Sequence, residues 1–281
     1  MARTPALSIL EQGQSNKKIE LREVSGYIIE NLWKETLSSG LKNQNYTGDP
    51  ASGSCEFKRI ANSELKEYGT ARTAQRGDAI KMKPIVVNLD QHKEIIEEAY
   101  RRDIEAVGVG NLMARRAENH LDSLASHIDR VFFKCAVDEG TKITTSQTKP
   151  RNMIEDGLLT LETLENEYIT GIDRYMMRVI CRPEFYSKIR DELVVTAKGN
   201  ITTAQDEFGT LNGVRVYSSV YLPKTVDYVV MVVGSIALPI VMHPYSNPEQ
   251  IPLSDDFAVK LFCNYGVKCL TPETVVVKMN P

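Results

Sequence analysis

The chain has 281 residues, which is enough for one large domain or two smaller ones. With 42% hydrophobic and 25% charged residues, its composition is that of an ordinary globular protein. The formal net charge of −3 argues against a protein that binds nucleic acid tightly on its own, because such proteins are usually basic.

The cysteines and the hydropathy pattern indicate the cellular setting of the protein. The five cysteines include no CxxC pair, so we expect reduced thiols in a cytosolic setting and no structural zinc. Residues 1–14 lack the apolar core of a secretion signal. The most apolar run, residues 228–242, is interrupted by Pro239 and is too short to span a bilayer. We therefore expect no membrane association.

The N-terminal segment predicts an arm followed by one helix. Residues 1–20 are polar and weakly patterned, which predicts a loose arm. Residues 21–37 carry apolar side chains at helical spacing and predict an amphipathic helix. A connection rich in Gly, Asn and Ser follows at residues 40–54.

Two strands are predicted next, at residues 55–60 and 80–89, with Pro84 indicating an edge position. The connection between them, residues 61–79, is long and polar. Long connections are usually functional or disordered, and a hairpin with such a polar tip cannot bury itself. Two interpretations stay open for residues 61–79: a plain surface loop, or an arm that lies on a neighbouring subunit.

Residues 90–107 predict a helix, and residues 111–137 predict a much longer one, roughly 40 Å at 1.5 Å per residue. The apolar positions of the long helix recur every three or four residues and form one stripe. The core of this stripe is predicted at Leu121, Leu124, Ile128 and Phe132. The other faces carry Arg115, Arg116, Glu118, Asp122, Asp129 and Lys134. The pattern fits an ordinary core helix or, more sharply, a spine against which the other elements pack.

The second half of the chain mixes helices and strands. Two helices are predicted, at residues 154–168 and 183–193, and residues 141–149 predict a polar linker. Strands are predicted at residues 175–181, 214–220, 228–233, 257–270 and 274–279. This order is neither a regular βαβ alternation nor all-β, so the fold class is α+β.

The sequence offers little catalytic chemistry. Gly108 and Gly110 lack the third glycine of a dinucleotide fingerprint, and there is no Walker-type loop or GxSxG elbow. His120 and His127 lie about two helical turns apart, too far to bind one metal, so we interpret them as interface or partly buried histidines. We therefore predict no catalytic, cofactor-binding or metal-binding residues and no enzyme. An enzyme that uses residues 150–250 as a binding domain remains the alternative from another class.

Several short strings, in this order, make the chain resemble the major capsid proteins of tailed bacteriophages, which have the HK97-like fold. They are Arg59-Ile60-Ala61-Asn62, Tyr68-Gly69-Thr70-Ala71-Arg72, Arg76-Gly77-Asp78-Ala79, Asn88-Leu89-Asp90 and, after the long helix, Gly213-Val214-Arg215-Val216-Tyr217. No single string is diagnostic, but their order is specific, and the resemblance covers roughly residues 20–280.

The resemblance implies a division of the α+β subunit into five parts. These are an N-terminal arm with a short helix (1–50), an extended hairpin loop (51–90), a peripheral domain with the spine helix (91–140), an axial domain (141–254) and C-terminal strands that return to the peripheral domain (255–281). In the hairpin loop, the residues expected to contact a neighbouring subunit are Lys66, Tyr68, Arg72 and Arg76.

The function implied is architectural. Hexamers and pentamers of the chain would form an icosahedral capsid around phage double-stranded DNA, without a cofactor, after assembly in the host bacterial cytoplasm. The resemblance begins near residue 20, which leaves no room for the internal scaffold of some family members. The expected partners are therefore a separate scaffolding protein, a portal protein and weakly held DNA. The alternative within the same fold is an encapsulin-like shell that encloses a cargo protein.

Overall fold

The structure, a computed structural model, describes residues 20–63, 80–196 and 210–280. The helices are α1 (Leu21–Glu35), α2 (Arg101–Val107), α3 (Val109–Glu139), α4 (Pro150–Glu162) and α5 (Pro183–Thr196). Short 3-10 helices occur at Ser38–Gly40, Pro50–Ser52, Arg174–Met176 and Pro272–Thr274. Helices α4 and α5 both begin at a proline, which fits the first helical turn because its backbone N–H has no helical partner there.

Sixteen strands are present in the described ranges. The first eight are β1 (Ser54–Ile60), β2 (Met82–Asn88), β3 (Gln91–Ala99), β4 (Thr141–Ile143), β5 (Glu165–Asn166), β6 (Ile169–Thr170), β7 (Met177–Cys181) and β8 (Thr210–Leu211). The others are β9 (Val214–Ser218), β10 (Val226–Val232), β11 (Ile236–Ala237), β12 (Ile240–His243), β13 (Glu249–Gln250), β14 (Phe257–Tyr265), β15 (Lys268–Cys269) and β16 (Val275–Met279).

The largest sheet among these has six strands in the order β4-β16-β10-β7-β9-β8. A second sheet places β14 between β3 on one side and β12 and β13 on the other. Strands β1 and β2 form an antiparallel hairpin, and β5–β6 and β11–β15 are two-stranded pairs.

The six-stranded sheet is covered on both faces, because successive side chains of a strand point to opposite sides. Val229 and Met231 belong to the buried cluster that contains α3. Tyr228 and Val230, their neighbours in β10, belong to a second cluster with α4 and α5. The sheet therefore forms the middle layer between α3 on one side and the α4–α5 pair on the other.

Helix α3 is the element on which most of the rest packs. Its buried cluster also includes Val24, Ile28 and Leu32 of α1 and the inward side chains of β14, such as Leu261. It spans 31 residues and extends the predicted range by two residues at each end. The helix thus lies between α1, the six-stranded sheet and the β3–β14 sheet.

The helix predicted at residues 90–107 is wrong over its first half. Those residues form β3, which pairs with β14 over nine residues from Gln91 opposite Tyr265 to Ala99 opposite Phe257. Pairing with a strand more than 150 residues away outweighs the local helical pattern. Only Arg101–Val107 is helical.

Three smaller boundaries also differ from the prediction. Helix α4 ends at Glu162, and a β5–β6 turn takes its last predicted residues. The predicted linker contains β4, which pairs in parallel with β16. The strand predicted at residues 257–270 is divided near Gly266, where an added Cβ would lie 2.1 Å from the carbonyl oxygen of Asn88. Only glycine allows that approach.

The C-terminal segment contributes to both sheets, since β14 lies beside β3 whereas β16 lies between β4 and β10. The division into peripheral and axial domains describes positions within a shell and stays a prediction.

Candidate assembly surfaces

The hairpin β1–β2 is the first candidate surface. It pairs in register from Ser54 opposite Asn88 to Ile60 opposite Met82. The four residues predicted to contact a neighbouring subunit, Lys66, Tyr68, Arg72 and Arg76, lie in the connection between these strands and outside the described residues. The structure therefore describes the root of the hairpin loop.

One face of this root is anchored to the body. Cys55, Phe57 and Val87 are buried together with Leu270 and Ala237. These side chains alternate along β1 and β2, as expected for strands with one buried face. Burial of a large side chain such as Phe57 contributes about 1.5–3 kcal/mol, so the base of the hairpin is fixed.

The opposite face is exposed and carries a row of apolar side chains along β2, beside the charged Glu56 and Lys58 of β1. Ile60, Met82 and Val86 point away from the anchored side, with 58%, 55% and 51% of their surface exposed. Ile80, just before β2, is 83% exposed. We call these four residues the outer face. Single exposed apolar residues are ordinary, whereas several side by side are typical of protein–protein contacts, so the outer face is a candidate contact surface.

Charged residues join the hairpin to two other segments. The Arg59 guanidinium bonds the Glu273 carboxylate and lies 4.0 Å from the centre of the Tyr168 ring. The backbone N–H of Asn62 donates to the carbonyl oxygen of Glu167 at 3.2 Å, and Lys81 Nζ lies 3.1 Å from the Glu167 carboxylate. Glu167 and Tyr168 form the β5–β6 turn.

Helix α3 is the second region where residues were singled out from sequence. Leu121, Leu124, Ile128 and Phe132 are all buried in its main cluster. Phe132 and Phe133 meet edge-to-face with ring centres 5.5 Å apart, a favourable aromatic geometry. The stripe therefore faces the core.

Asp129 corrects the predicted polar face of α3, because it is buried. Its two carboxylate oxygens accept hydrogen bonds of 3.0 Å from the backbone N–H groups of Leu37 and Ser38. Burial raises the pKa of the Asp129 carboxyl, although these hydrogen bonds oppose the rise. Asp129 thus holds the start of the 3-10 helix Ser38–Gly40 against α3. No local sequence signal could have found this contact, since the partners are about ninety residues away.

His120 lies at a buried junction. Its Nε2 is 2.9 Å from Oε1 of Glu97, and its Nδ1 bonds the hydroxyl of Tyr245. Arg116 Nη2 donates to the same Glu97 oxygen at 2.7 Å. Burial alone would raise the pKa of Glu97, but the hydrogen bonds from His120 and Arg116 bring it below its usual value. This network ties α3 to β3 and to residue 245.

His127, two turns along α3, is partly buried and its Nε2 lies 2.8 Å from the hydroxyl of Tyr265. Burial, and then the positive charges of Lys93 and Arg130, lower the pKa of His127. Both spine histidines therefore connect α3 to tyrosines of the surrounding structure.

The cysteine thiols lie in environments that disfavour reaction. All five cysteines are free and buried, and burial raises the pKa of each thiol, which disfavours the nucleophilic thiolate. Within the described ranges, His, Cys, Asp and Glu nowhere gather three at a time as a metal site would need. Across the same residues, the helices lack the length and hydropathy of a membrane span.

Comparison with known proteins gives a clear result for structure only. No family model matches the sequence, and no curated protein matches it. A structure from Mycobacterium phage Che8 matches with a TM-score of 0.56 and 20% identity, covering 85% of this chain and 93% of that chain. The capsid structure of the cyanophage P-SCSP1u matches with a TM-score of 0.64 and 14% identity, covering 87% and 88%.

A virus-like particle from Pyrococcus furiosus also matches, with a TM-score of 0.58 and 13% identity, covering 92% of this chain and 97% of that chain. These similarities extend over nearly the whole of each protein, so they concern the complete fold and not one motif. The fold is that of phage capsid subunits. The chain has the HK97-like α+β fold, as its sequence predicted.

Proposed function

We propose that this chain is the major capsid protein of a tailed bacteriophage, and that many copies of it form an icosahedral shell around double-stranded DNA. The observation that carries this proposal is the shared fold, which spans nearly all of this chain and nearly all of the cyanophage capsid chain. A shell built of identical subunits obtains its stability from one set of contacts repeated many times. The role is structural, and we expect no catalytic activity.

The outer face of the hairpin supports this proposal. Ile60, Met82 and Val86 form an apolar strip on a two-stranded ribbon whose other face is anchored to the body. A hairpin with two strands is marginally stable by itself, and exposing such a strip in a free subunit costs free energy. A second copy of the chain is the partner that every subunit of a shell has at hand. We expect Lys66, Tyr68, Arg72 and Arg76 to extend this contact.

The remaining parts of the proposal concern position and partners. Residues 1–50 would form an arm, residues 91–140 the peripheral domain and residues 141–254 the axial domain around capsomer axes, with residues 255–281 returning to the peripheral domain. A scaffolding protein and a portal protein would guide assembly in the host cytoplasm. Contacts with the packaged DNA would be weak and non-specific, because the net charge of the chain is −3.

Sedimentation and electron microscopy of the purified protein test the proposal. We expect closed shells of megadalton mass when the protein is produced with its scaffolding protein, and aberrant or mixed-size particles when it is produced alone. Uniform, correctly sized shells from the chain alone would contradict the separate scaffold. A small oligomer under both conditions would overturn the capsid proposal itself.

The second candidate function is an encapsulin-like compartment, which the match to the virus-like particle from Pyrococcus furiosus supports. Both candidates predict shells, so the contents of the particles distinguish them. Nuclease-protected double-stranded DNA, with portal and terminase genes beside the coding sequence, would support the capsid. A single enclosed protein, encoded by a neighbouring gene, would support the compartment.

A further inference from the structure

The hairpin has two kinds of attachment to the body, and they lie at different positions along the length of the hairpin. Near its base, Cys55, Phe57 and Val87 are buried in an apolar cluster. Further out, towards residue 60, the described attachments are polar. They begin at Arg59, the last residue but one of β1, whose side chain is only 17% exposed.

Arg59 contacts two segments that are far from it in sequence. Glu273, whose side chain is 26% exposed, comes from the 3-10 helix Pro272–Thr274. Tyr168 comes from the β5–β6 turn and offers the face of its ring at 4.0 Å. Asn166 Nδ2, at the end of β5, lies 3.5 Å from Oε1 of Glu273. We call Arg59, Tyr168 and Glu273 the root clamp.

The side chains of the root clamp are suited to fix the angle between the hairpin and the body of the subunit. A guanidinium is a planar, rigid fork, and the Tyr168 ring and the Glu273 carboxylate restrict it from two directions. Because the pair is largely withdrawn from solvent, it is screened less by salt than exposed pairs are. The backbone N–H of Asn62 donates to the carbonyl oxygen of Glu167, the residue before Tyr168. The β5–β6 turn therefore holds the hairpin at a second point beyond Arg59.

From this geometry we propose that the root clamp sets the direction in which the hairpin leaves the subunit. The apolar cluster works as the pivot, and the clamp fixes the ribbon beyond the pivot. The outer face then points to the position where the next copy of the chain docks. This inference rests on the proposed shell function, and Arg59 is its positioning residue.

The clamp lies outside the two large buried clusters, which contain α3, α4 and α5 and the six-stranded sheet. Loss of the clamp should therefore leave the subunit folded while the hairpin samples other directions. A small error in direction grows along an extended ribbon, and a closed shell repeats that error at every interface.

The experiment uses full-length subunits with a charge exchange. Arg59→Glu and Glu273→Arg each break the ion pair, and the double variant Arg59→Glu with Glu273→Arg restores opposite charges. Arg101→Glu is the matched control, because it makes the same substitution in an exposed pair with Glu105 on α2. Spin labels at Ile80→Cys and Glu118→Cys report the distance between the hairpin and α3 in dissociated subunits.

We expect Arg59→Glu to broaden or shift this distance and to lower the yield of closed shells by about tenfold or more, since breaking a partly buried pair leaves an unpaired charge. The urea midpoint of the subunit should change little, because the released end of the hairpin can turn both carboxylates into solvent. The double variant should recover both the distance and part of the yield, and Arg101→Glu should leave the distance unchanged.

An unchanged distance in both single variants would overturn the clamp, whatever the shell yield. A loss of yield that the double variant does not recover, at a recovered distance, would also overturn it. Failure of the proposed function looks different: the wild-type chain would form no shells although the distances still respond to Arg59→Glu.

Discussion

Helix α3 and the hairpin β1–β2 differ in how far their apolar side chains are buried. The spine buries its apolar stripe inside the subunit, and its polar residues Asp129, His120 and His127 find hydrogen-bond partners there. The hairpin instead exposes the apolar residues Ile60 and Met82. The contacts of the spine are thus satisfied within one chain, whereas the proposed role of the hairpin's apolar surface is contact with another copy. The two regions should therefore respond differently to mutation, one in folding and the other in assembly.

The largest effect on folding is expected in the middle of α3. Leu124 and Ile128 are buried one turn apart, and truncating such a side chain to alanine costs about 2–5 kcal/mol through lost burial and a cavity. A subunit of this size has about 5–15 kcal/mol of stability, so Leu124→Ala with Ile128→Ala should remove most of it, although neighbouring changes need not add.

Urea unfolding of dissociated subunits measures this effect, with Arg115→Ala on the exposed side of α3 as the control. The control should keep the wild-type midpoint within about 0.5 kcal/mol, as surface substitutions usually do. A double core variant that unfolds at the wild-type urea concentration would show that the spine is not the organising element.

The second largest effect is expected at Asp129. Asp129→Ala leaves the backbone N–H groups of Leu37 and Ser38 without their acceptor, and an unsatisfied buried group costs about 1–3 kcal/mol. Asp129→Asn keeps one acceptor oxygen and should lose less. Asp138→Ala, an exposed aspartate of the same helix, is the control and should be neutral in urea unfolding. Equal midpoints for Asp129→Ala and Asp138→Ala would contradict this role.

The sequence predicted some of these elements because their signals are local. The period of α3 can be read within 27 residues, and its buried stripe needs no knowledge of partners. Strand β3 could not be recognised in this way, because the spacing of its apolar residues also fits a helix and its partner β14 lies far along the chain. Asp129 looked like any solvated aspartate, since its two partners come from another segment.

The hairpin also combines features that the sequence predicted with one that it did not. Its strands and the polar nature of residues 61–79 were evident from composition, and Pro84 indicated the edge position of β2. The root clamp was not evident, because Arg59 and Glu273 are separated by 214 positions. Contacts made by long polar side chains between distant segments carry no periodic signal.

A smaller, pH-dependent effect is expected at His127. Its pKa is lower in the folded chain than the ordinary value of about 6.5, so the unfolded chain binds the proton more tightly. The stability contributed by neutral His127 is therefore complete above about pH 6.5 and is lost as pH falls below it, by up to about 1.4 kcal/mol per pH unit.

Urea midpoints between pH 7.5 and pH 5, chosen as about one unit or more on either side of that pKa, test this dependence. His127→Gln, which can still bond the Tyr265 hydroxyl, should reduce the loss of stability in acid. Asn119→Gln, at an exposed position of α3 with no titratable side chain, is the control and should keep the wild-type slope. An identical slope in the wild type and in His127→Gln would contradict the prediction.

The smallest effect on folding is expected on the outer face of the hairpin, and there the contrast with α3 is sharpest. Met82→Asp and Val86→Asp place a charge where the side chain is about half exposed, so the free energy of unfolding should change by no more than about 0.5 kcal/mol. In a shell the same carboxylate would be buried without a partner against the next subunit, which costs several kcal/mol at each interface.

Sedimentation of the assembly products separates the two effects, since closed shells and free subunits differ widely in mass. Ala51→Asp, in the 3-10 helix Pro50–Ser52 before β1, is the control, because it also adds a carboxylate at an exposed position. We expect folded subunits in all three variants and a loss of shells in Met82→Asp and Val86→Asp that exceeds any loss in Ala51→Asp. Normal shells from both outer-face variants would show that the outer face stays exposed to solvent in the shell. The contact between copies would then have to lie elsewhere on the subunit.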